Sequence, residues 1–317
     1  MTIDPAPLLH AARLATGHQQ HPAATLYVVA TPIGNLADIT LRAIHVLGLV
    51  DAVACEDTRV AAQLLTHLGL HKPLRALHAH NEHEAAAGVL ALLAMGQRVA
   101  YISDAGTPAV SDPGAVLVAA ARAAGHAVVP LPGPSSALAA LSAAGDTGAS
   151  AFCFIGFLPA KGGERRTALA AALADRRTQL LFEAPHRMAE LAGALAEAAP
   201  ERKVTLCREL TKQFESIVTH PAAALPAWLA ADKHHERGEF VVVLHALPAA
   251  QAPAADELPP AALHTLRVLL RELPLKHAVA LAAELSGAPR KALYQRALAE
   301  RDTTAAAEGS ADGADGA

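Results

Sequence analysis

Short runs of β-branched and other apolar residues recur along the first half of the chain. Each is followed by a longer stretch in which apolar positions return every three or four residues. The runs LYVVATP, AVACED, LRALHAH, VAYISD and AVVPLPG predict strands, and DITLRAIHVLG, TRVAAQLLTHLG, EHEAAAGVLALLAMG, PGAVLVAAARAAG and SSALAALSAAG predict helices. Strand and helix taking turns in this way imply right-handed crossovers and a mainly parallel sheet. Helix starts are expected at Asp38 and Thr58, and stops at Gly48, Gly69, Gly96 and Gly125.

After Gly148 the texture changes. AFCFIGFLPA, QLLFEAP, KVTLCREL, FESIVTH and GEFVVVLHA predict strands with shorter gaps, with helices opening at GGERR and running through MAELAGALAEA, and ELTKQFE predicts a hairpin or bend. The expected fold class is therefore α/β: two α/β domains, a mainly parallel N-terminal sheet over 25–147 and a mixed sheet over 148–246. Residues 1–24 read as a flexible extension and 247–260 as a Pro/Ala linker. Residues 261–301 read as a small helical domain, and the acidic, Gly/Ala-rich 302–317 as a disordered tail.

Composition narrows the class. With 317 residues and 52% apolar content the chain can bury about two cores, which excludes overall disorder. Charged residues or histidines interrupt every long apolar run before the ~18 residues a membrane helix needs, and the start lacks the pattern of a signal peptide, so a cytoplasmic protein without membrane contact is expected. Cys55, Cys153 and Cys207 lie too far apart for zinc pairs or a disulfide framework. A net charge of -4 argues against phosphate contacts over the whole surface. Between Ala261 and Arg301, however, seven cations face three anions, and SGAP joins two helical stretches in the outline of a helix-turn-helix. Its second helix would carry Arg290, Lys291 and Arg296; a purely structural helical module or a dimer contact fits the same pattern.

Candidate chemistry gathers at strand ends. TPIGN (31–35), SDAGTPAVSDPG (103–114) and PGPSS (132–136) are Gly/Pro bends after the first, fourth and fifth strands, where an open parallel sheet binds its ligands. Each alone also fits a plain turn or helix cap, and Asp112 before Pro113 fits a helix start. The dinucleotide fingerprint, the phosphate loop and the G-x-S-x-G elbow are absent. HAHNEHE offers His80, His83 and Glu84 to a metal, but a polar helix entry capped by Asn81 explains it as well. LFEAPHR and CRELTKQFE set Glu183, His186, Arg187, Arg208, Glu209, Lys212 and Glu215 at the ends of apolar strands, either as an ion-pair lattice or as a working site.

Taken in order across 26–244, LYVVATPIGNLADIT, CEDTR, HAHNE, SDAGTPAVSDPG, PLPGPSSALAALSAAG, FIGFLPAK, EAPHR, RELTKQFE and GEFVVVL resemble the tetrapyrrole-methylase fold family, specifically its ribosomal RNA methyltransferase branch. TPIGN, where tetrapyrrole enzymes carry a glycine-rich turn with an acidic residue, favours that branch. The resemblance implies a homodimer that uses S-adenosyl-L-methionine to methylate a cytidine ribose 2′-hydroxyl in the decoding region of small-subunit (16S) ribosomal RNA, naked or in the assembled subunit. It maps the cofactor onto Pro32, Gly34, Ser103, Asp104, Gly106, Thr107, Pro108, Gly133, Ser135, Ser136 and Ala184. Proton-acceptor candidates are Glu183, His186, Lys212 and Glu215; Arg59, Arg187 and Arg208, with Arg290, Lys291 and Arg296, would hold RNA; no metal is required. The alternatives are a tetrapyrrole (precorrin-type) small-molecule methyltransferase, a non-catalytic nucleic-acid-binding protein and a metal hydrolase.

Overall fold

The computed structural model describes residues 5–78, 81–248, 258 and 260–309. Its first sheet is all parallel, built from β1 (Thr25–Val29), β2 (Ala52–Cys55), β3 (Leu74–Ala76), β4 (Val99–Ile102) and β5 (Ala127–Leu131) in the order β3-β2-β4-β1-β5. Every residue of β2 and β4 is buried, as strands covered on both faces require. One face carries α1 (Ala6–Thr16), α2 (Leu41–Leu49) and α3 (Thr58–His67), which close Ile44, Leu47, Leu65 and Leu68 over Val29 and Val53. The other carries α4 (Glu82–Ala94) and α5 (Ala115–Ala123), which pack Val89, Leu93, Leu117 and Ala121 against Leu26 and Tyr101. The chain leaves β1 toward β2 on one side and β4 toward β5 on the other. The neighbouring carboxyl ends of β1 and β4 therefore diverge and leave a crevice.

Several local expectations need correction. The predicted flexible extension holds a helix in its described part: Leu8, Leu9, Ala12 and Thr16 share one helical face of α1, and burying that face on α2 holds the segment. Asp38 lies in a single 3-10 turn, and α2 is capped by the Thr40 hydroxyl, which accepts from the Ala43 amide at 3.1 Å. Asp57, not Thr58, caps α3, its carboxylate accepting from the Arg59 amide at 2.8 Å. Gly48 sits inside the last turn of α2, whereas Gly69, Gly96 and Gly125 take positive φ and do end their helices.

The second sheet runs β6-β7-β10-β8-β9, from β6 (Phe152–Phe157), β7 (Thr178–Glu183), β8 (Lys203–Arg208), β9 (Ser216–Pro221) and β10 (Phe240–Leu244). Only β6 and β7 are parallel, and β8 and β9 form the hairpin that ELTKQFE turns. α7 (Gly162–Ala174) and α8 (Met188–Ala198) cover one face with α9 (Leu225–Ala231), a seven-residue helix too short to leave a periodic pattern in the sequence. The opposite face receives α6 (Ser136–Ala143), which follows the last strand of the first sheet yet packs Ala137, Ala140 and Ala144 on Leu180, Cys207, Val241 and Val243. Small residues on α6 let the two lobes close into one unit reaching Leu247.

A second unit starts at Pro248 and holds α10 (Pro260–Glu272), α11 (Leu275–Ser286) and α12 (Arg290–Gly309) around Leu266, Val279, Ala282, Leu293 and Ala297. Gly287, at φ +67°, stops α11. The predicted tail from residue 302 is instead helical through Gly309, because TTAAAE carries enough alanine to prolong α12; 310–317 and most of the predicted linker lie outside the described residues. Among the described residues no helix is long and apolar enough to cross a membrane.

Asp146 fastens the link between the lobes. Its carboxylate accepts from the Thr178 hydroxyl at 2.7 Å, the Ala246 amide at 2.6 Å and the Gly148 amide at 3.1 Å. Burial pushes its carboxyl up, but these donors outweigh burial and hold it below the usual carboxylate range. A depressed carboxylate stabilises the fold fully above the unfolded value near ~4 and loses that contribution as pH falls through its folded value. Asp146→Ala is expected to cost about 1–3 kcal/mol in urea unfolding at pH 7, and to remove part of the loss of stability that the parent chain shows on acidification below pH 4.

Candidate functional site

Thr31 and Gly106 exchange backbone hydrogen bonds across the exits of β1 and β4, at 2.9 and 3.0 Å, in an isolated antiparallel bridge. The Thr31 hydroxyl donates to the Ser103 carbonyl at 3.2 Å, and the buried Ser103 hydroxyl donates to the Gly106 carbonyl at 3.3 Å. Gly106 takes φ +83°, a conformation that favours glycine. The third bend joins through the Thr107 hydroxyl, which donates to the Pro134 carbonyl at 3.0 Å, and through Gly133, where an added Cβ would stand 2.8 Å from that of Ala30. TPIGN, SDAGTP and PGPSS thus form one continuous surface at the carboxyl edge of the first sheet.

Against this surface the second lobe encloses a cavity of about 400 Å³, within the range of small-molecule sites. Ile33, Gly106, Thr107, Val110, Asp112, Ser135 and Ser136 line it from the first lobe, and Phe157, Phe182, Glu183, Ala184, Cys207, Leu210, Glu239 and Val241 from the second. The N-terminus of α6 opens on it, with the Ser135 hydroxyl capping the Leu138 amide at 3.5 Å. A smaller cavity of about 200 Å³ lies beside Thr31, Pro32, Leu36, Val60, Ser103 and Asp104.

The expected cofactor residues therefore divide. Gly106, Thr107, Ser135, Ser136 and Ala184 line the main cavity. Pro32, Ser103 and Asp104 line the smaller one, because the Asp104 carboxylate is drawn to the start of α3, accepting the Asp57 amide at 3.0 Å. Gly34, Pro108 and Gly133 line neither. Gly34 abuts the second lobe so closely that a Cβ would come within 2.5 Å of the Lys212 side chain.

The charged strand ends are mostly an ion-pair lattice. Glu183 is shut off from solvent, with Arg165 at 2.7 Å on one oxygen and Arg187 at 3.1 Å on the other, which also accepts the Ala184 amide at 3.0 Å. Both of its oxygens are thus taken up by the protein's own guanidinium groups and amide, which makes Glu183 a fastening of the strand end. Arg187 is likewise committed, donating to the carbonyls of Leu158 and Pro159 at 2.9 Å. Lys212 bonds Glu209 at 2.8 Å and Glu239 at 3.1 Å; burial lowers its pKa, but these carboxylates more than compensate and hold it above the ordinary value. It stays a cation rather than a base. Glu215 accepts the Thr211 amide at 2.6 Å inside the hairpin, and His186 is exposed; neither lines the cavity. Arg208 ties the carbonyls of Arg237 and Phe214, whereas Arg59 is exposed beside Asp57, whose carboxyl it holds down at about 2.

Glu239, Ile33, Val110, Phe157, Phe182 and Leu210 were not anticipated; only the strand-start position of GEFVVVL hinted at Glu239. The metal reading loses its support: His83 and Glu84 are exposed, His80 lies outside the described residues, and no group of three ligating side chains occurs among the described residues. Asn81 does not cap α4 with its side chain, which accepts the His78 amide at 2.8 Å instead. Burial pushes the Cys207 thiol up to about 12 and the Cys55 thiol up to about 11, so both stay protonated.

A family model described as tetrapyrrole (corrin/porphyrin) methylases matches residues 25–226, and one described as the RsmI C-terminal HTH domain matches 256–301. The chain is 48% identical over 277 residues to the ribosomal RNA small subunit methyltransferase I of Escherichia coli O157:H7, covering 87% of this chain and 95% of that protein. It is 49% identical to the protein of that name from Pseudomonas aeruginosa, covering 87% and 97%. Among solved structures, a uroporphyrin-III C-methyltransferase from Thermus thermophilus superposes with a TM-score of 0.51 at 23% identity, covering 69% of this chain and 94% of that one. A cobalt precorrin-4 methyltransferase gives 0.51 at 19%, with the same coverage. These two likenesses concern the fold alone.

Removing one member of a buried ion-pair cluster strands the others. Glu183→Leu is expected to lower unfolding free energy by about 3–5 kcal/mol, read by urea titration; a loss below about 1 kcal/mol would mean that Arg165 and Arg187 do not depend on it.

Proposed function

Because this chain belongs to the tetrapyrrole (corrin/porphyrin) methylase family, we propose that it transfers a methyl group from S-adenosylmethionine to small-subunit (16S) ribosomal RNA, at the 2′-oxygen of a cytidine ribose in the decoding region. The observation that carries the reading is identity near one half, along nearly the whole chain, to proteins named as small-subunit ribosomal RNA methyltransferases. The tetrapyrrole alternative rests on structures that share about a fifth of their residues with this chain.

The main cavity suits this cofactor. Ile33, Phe157, Leu210 and Val241 supply apolar walls for an adenosine, while the Thr107 hydroxyl and the free amides at the start of α6 suit the carboxylate of a methionine moiety. Gly106 leaves its backbone approachable where a side chain would intrude. The cofactor, when bound, supplies a methyl carbon made electrophilic by its cationic sulfur. The chain then has to hold the acceptor oxygen in line with that carbon, exclude water and take the hydroxyl proton.

Phosphate contacts fall to other residues. Arg290 and Lys291 are exposed on the first turn of α12, Arg296 is exposed one turn beyond them, and Arg59 is exposed at the start of α3. Arg187 and Arg208 are bound to the protein's own carboxylate and carbonyls and are less exposed than these four, which are the better candidates for RNA. Cytoplasmic location follows from such a substrate. Two copies are expected to associate, since the edge strand β6 exposes Phe152 and α6 exposes Leu138.

Labelled S-adenosylmethionine, incubated with small ribosomal subunits or with bare ribosomal RNA and followed by nucleoside mapping, is expected to yield 2′-O-methylcytidine at a single position. Label on a nucleobase, or on a precorrin-type acceptor alone, would refute the assignment. Arg290→Glu/Lys291→Glu is expected to weaken RNA binding and to flatten its salt dependence by about one unit of slope per lost phosphate contact, with cofactor affinity unchanged in calorimetry.

A further inference from the structure

We infer that Asp112 accepts the proton lost by the acceptor hydroxyl, an assignment that rests on the methyl-transfer reading above and adds the one group that reading leaves unnamed. Four side chains lining the main cavity carry an acid-base group: Asp112, Glu183, Glu239 and Cys207. Glu183 is spent on Arg165 and Arg187. Glu239 bonds Lys212 and is 80% exposed. Cys207 is a protonated thiol with nothing to accept a proton. Of the three carboxylates, Asp112 is the one with no ion pair.

Its placement is not that of a helix cap. α5 begins at Ala115, and the orphan amides at its start are met by Glu82, which accepts from Gly114 at 2.7 Å and from Val116 at 3.1 Å. With the structural duty discharged by a residue on α4, Asp112 is left to line the cavity. The segment that presents it is also forced: Ala109 and Ser111 take φ +62° and +65°, and Gly114 takes +121°. Non-glycine residues adopt that region only when their surroundings over-determine it. Here the surroundings are the Tyr101 hydroxyl, which donates to the Pro113 carbonyl at 2.5 Å, and Gly156 of β6, whose bare Cα lets the Ser111 hydroxyl approach to where a Cβ would be 2.6 Å away. Strain in the first lobe is thus held by contact with the second.

The neighbours make this carboxylate a better base than a surface one. Burial and the Asp104 carboxylate raise its pKa, against a smaller opposing hydrogen bond from Ser103. Glu56 after β2 is itself pushed up by burial and by Asp104, Asp112 and Asp57, and the buried Tyr101 of β4 is pushed up by burial and by Glu56 and Asp112. Across the cavity stand the paired Glu183 and Glu239. In the step itself, the 2′-oxygen forms its bond to the methyl carbon as the carbon–sulfur bond breaks, the pair of electrons stays on sulfur as a neutral thioether, and the proton passes to Asp112. A sulfonium and a carboxylate become a thioether and a carboxylic acid, so charge and protons balance.

The test uses full-length protein on small subunits. Asp112→Asn is expected to lower kcat about 10²–10⁴-fold, to lose the acid limb of the pH–rate profile, and to bind S-adenosylhomocysteine and RNA within about threefold of the parent. Asp104→Asn, which keeps an acceptor for the Asp57 amide and removes the like charge, is expected to move that acid limb to lower pH. An Asp112→Asn enzyme with kcat within about threefold of the parent, or an acid limb unmoved in Asp104→Asn, would overturn the assignment while the parent's methylated product still stands. No methylated nucleoside from the parent would remove the reading itself, and this assignment with it.

Discussion

The reciprocal hydrogen bonds between Thr31 and Gly106 are the constraint on which the site depends. In a doubly wound sheet the chain diverges at neighbouring strand ends, so loops there have no reason to stay together unless something joins them. Two backbone bonds do so at a point where one partner must take a positive φ, which is why a glycine occupies 106. The bridge also partitions space. Residues on one side of it, Pro32 and Asp104, open on the small cavity at the start of α3, and residues on the other, Thr107 and Asp112, open on the large one between the lobes.

Charge is used in two opposed ways around that large cavity. On the second lobe, Glu183 and Glu209 are satisfied by cations and amides, and their work is to fix strand ends and the β8–β9 hairpin. On the first lobe, burial raises the pKa of Glu56 and Asp112, and the neighbouring carboxylates, Asp104 among them, raise both further. Isolated charges cost more to bury than paired ones. The uncompensated group therefore stands out from the lattice, and its position against the cavity gives the reason a fold would retain it.

The alternation of strand and helix, the change of texture at Gly148 and the hairpin at ELTKQFE were all legible in the sequence, because each reflects a period or a turn residue acting over a few positions. The bends at 31–35, 103–108 and 132–136 were legible as Gly/Pro turns at strand ends for the same reason. What sequence did not yield depended on contacts across the chain. That Asp104 would turn to the amide of Asp57, that Glu82 would cap a helix more than thirty residues away, and that Glu183 would meet Arg165 are all decided by packing. α1 escaped notice because its cap is weak and its apolar face is narrow, so only burial against α2 holds it.

An acidic rim has consequences for a polyanionic substrate. Glu56, Asp104 and Asp112 would favour a cationic sulfur donor by simple attraction, and repel a phosphate backbone by the same field. On the proposed reading, RNA cannot draw its affinity from that rim. It needs an excess of cations, and the chain, at -4 overall, has one between Ala261 and Arg301. On that reading the sequence itself divides the two charge types, with acidic residues at the strand ends of the first unit and a cationic excess in the second. An enzyme on the same fold with a small acceptor would meet no such conflict, so the basic helical unit is itself an argument for a polyanionic substrate.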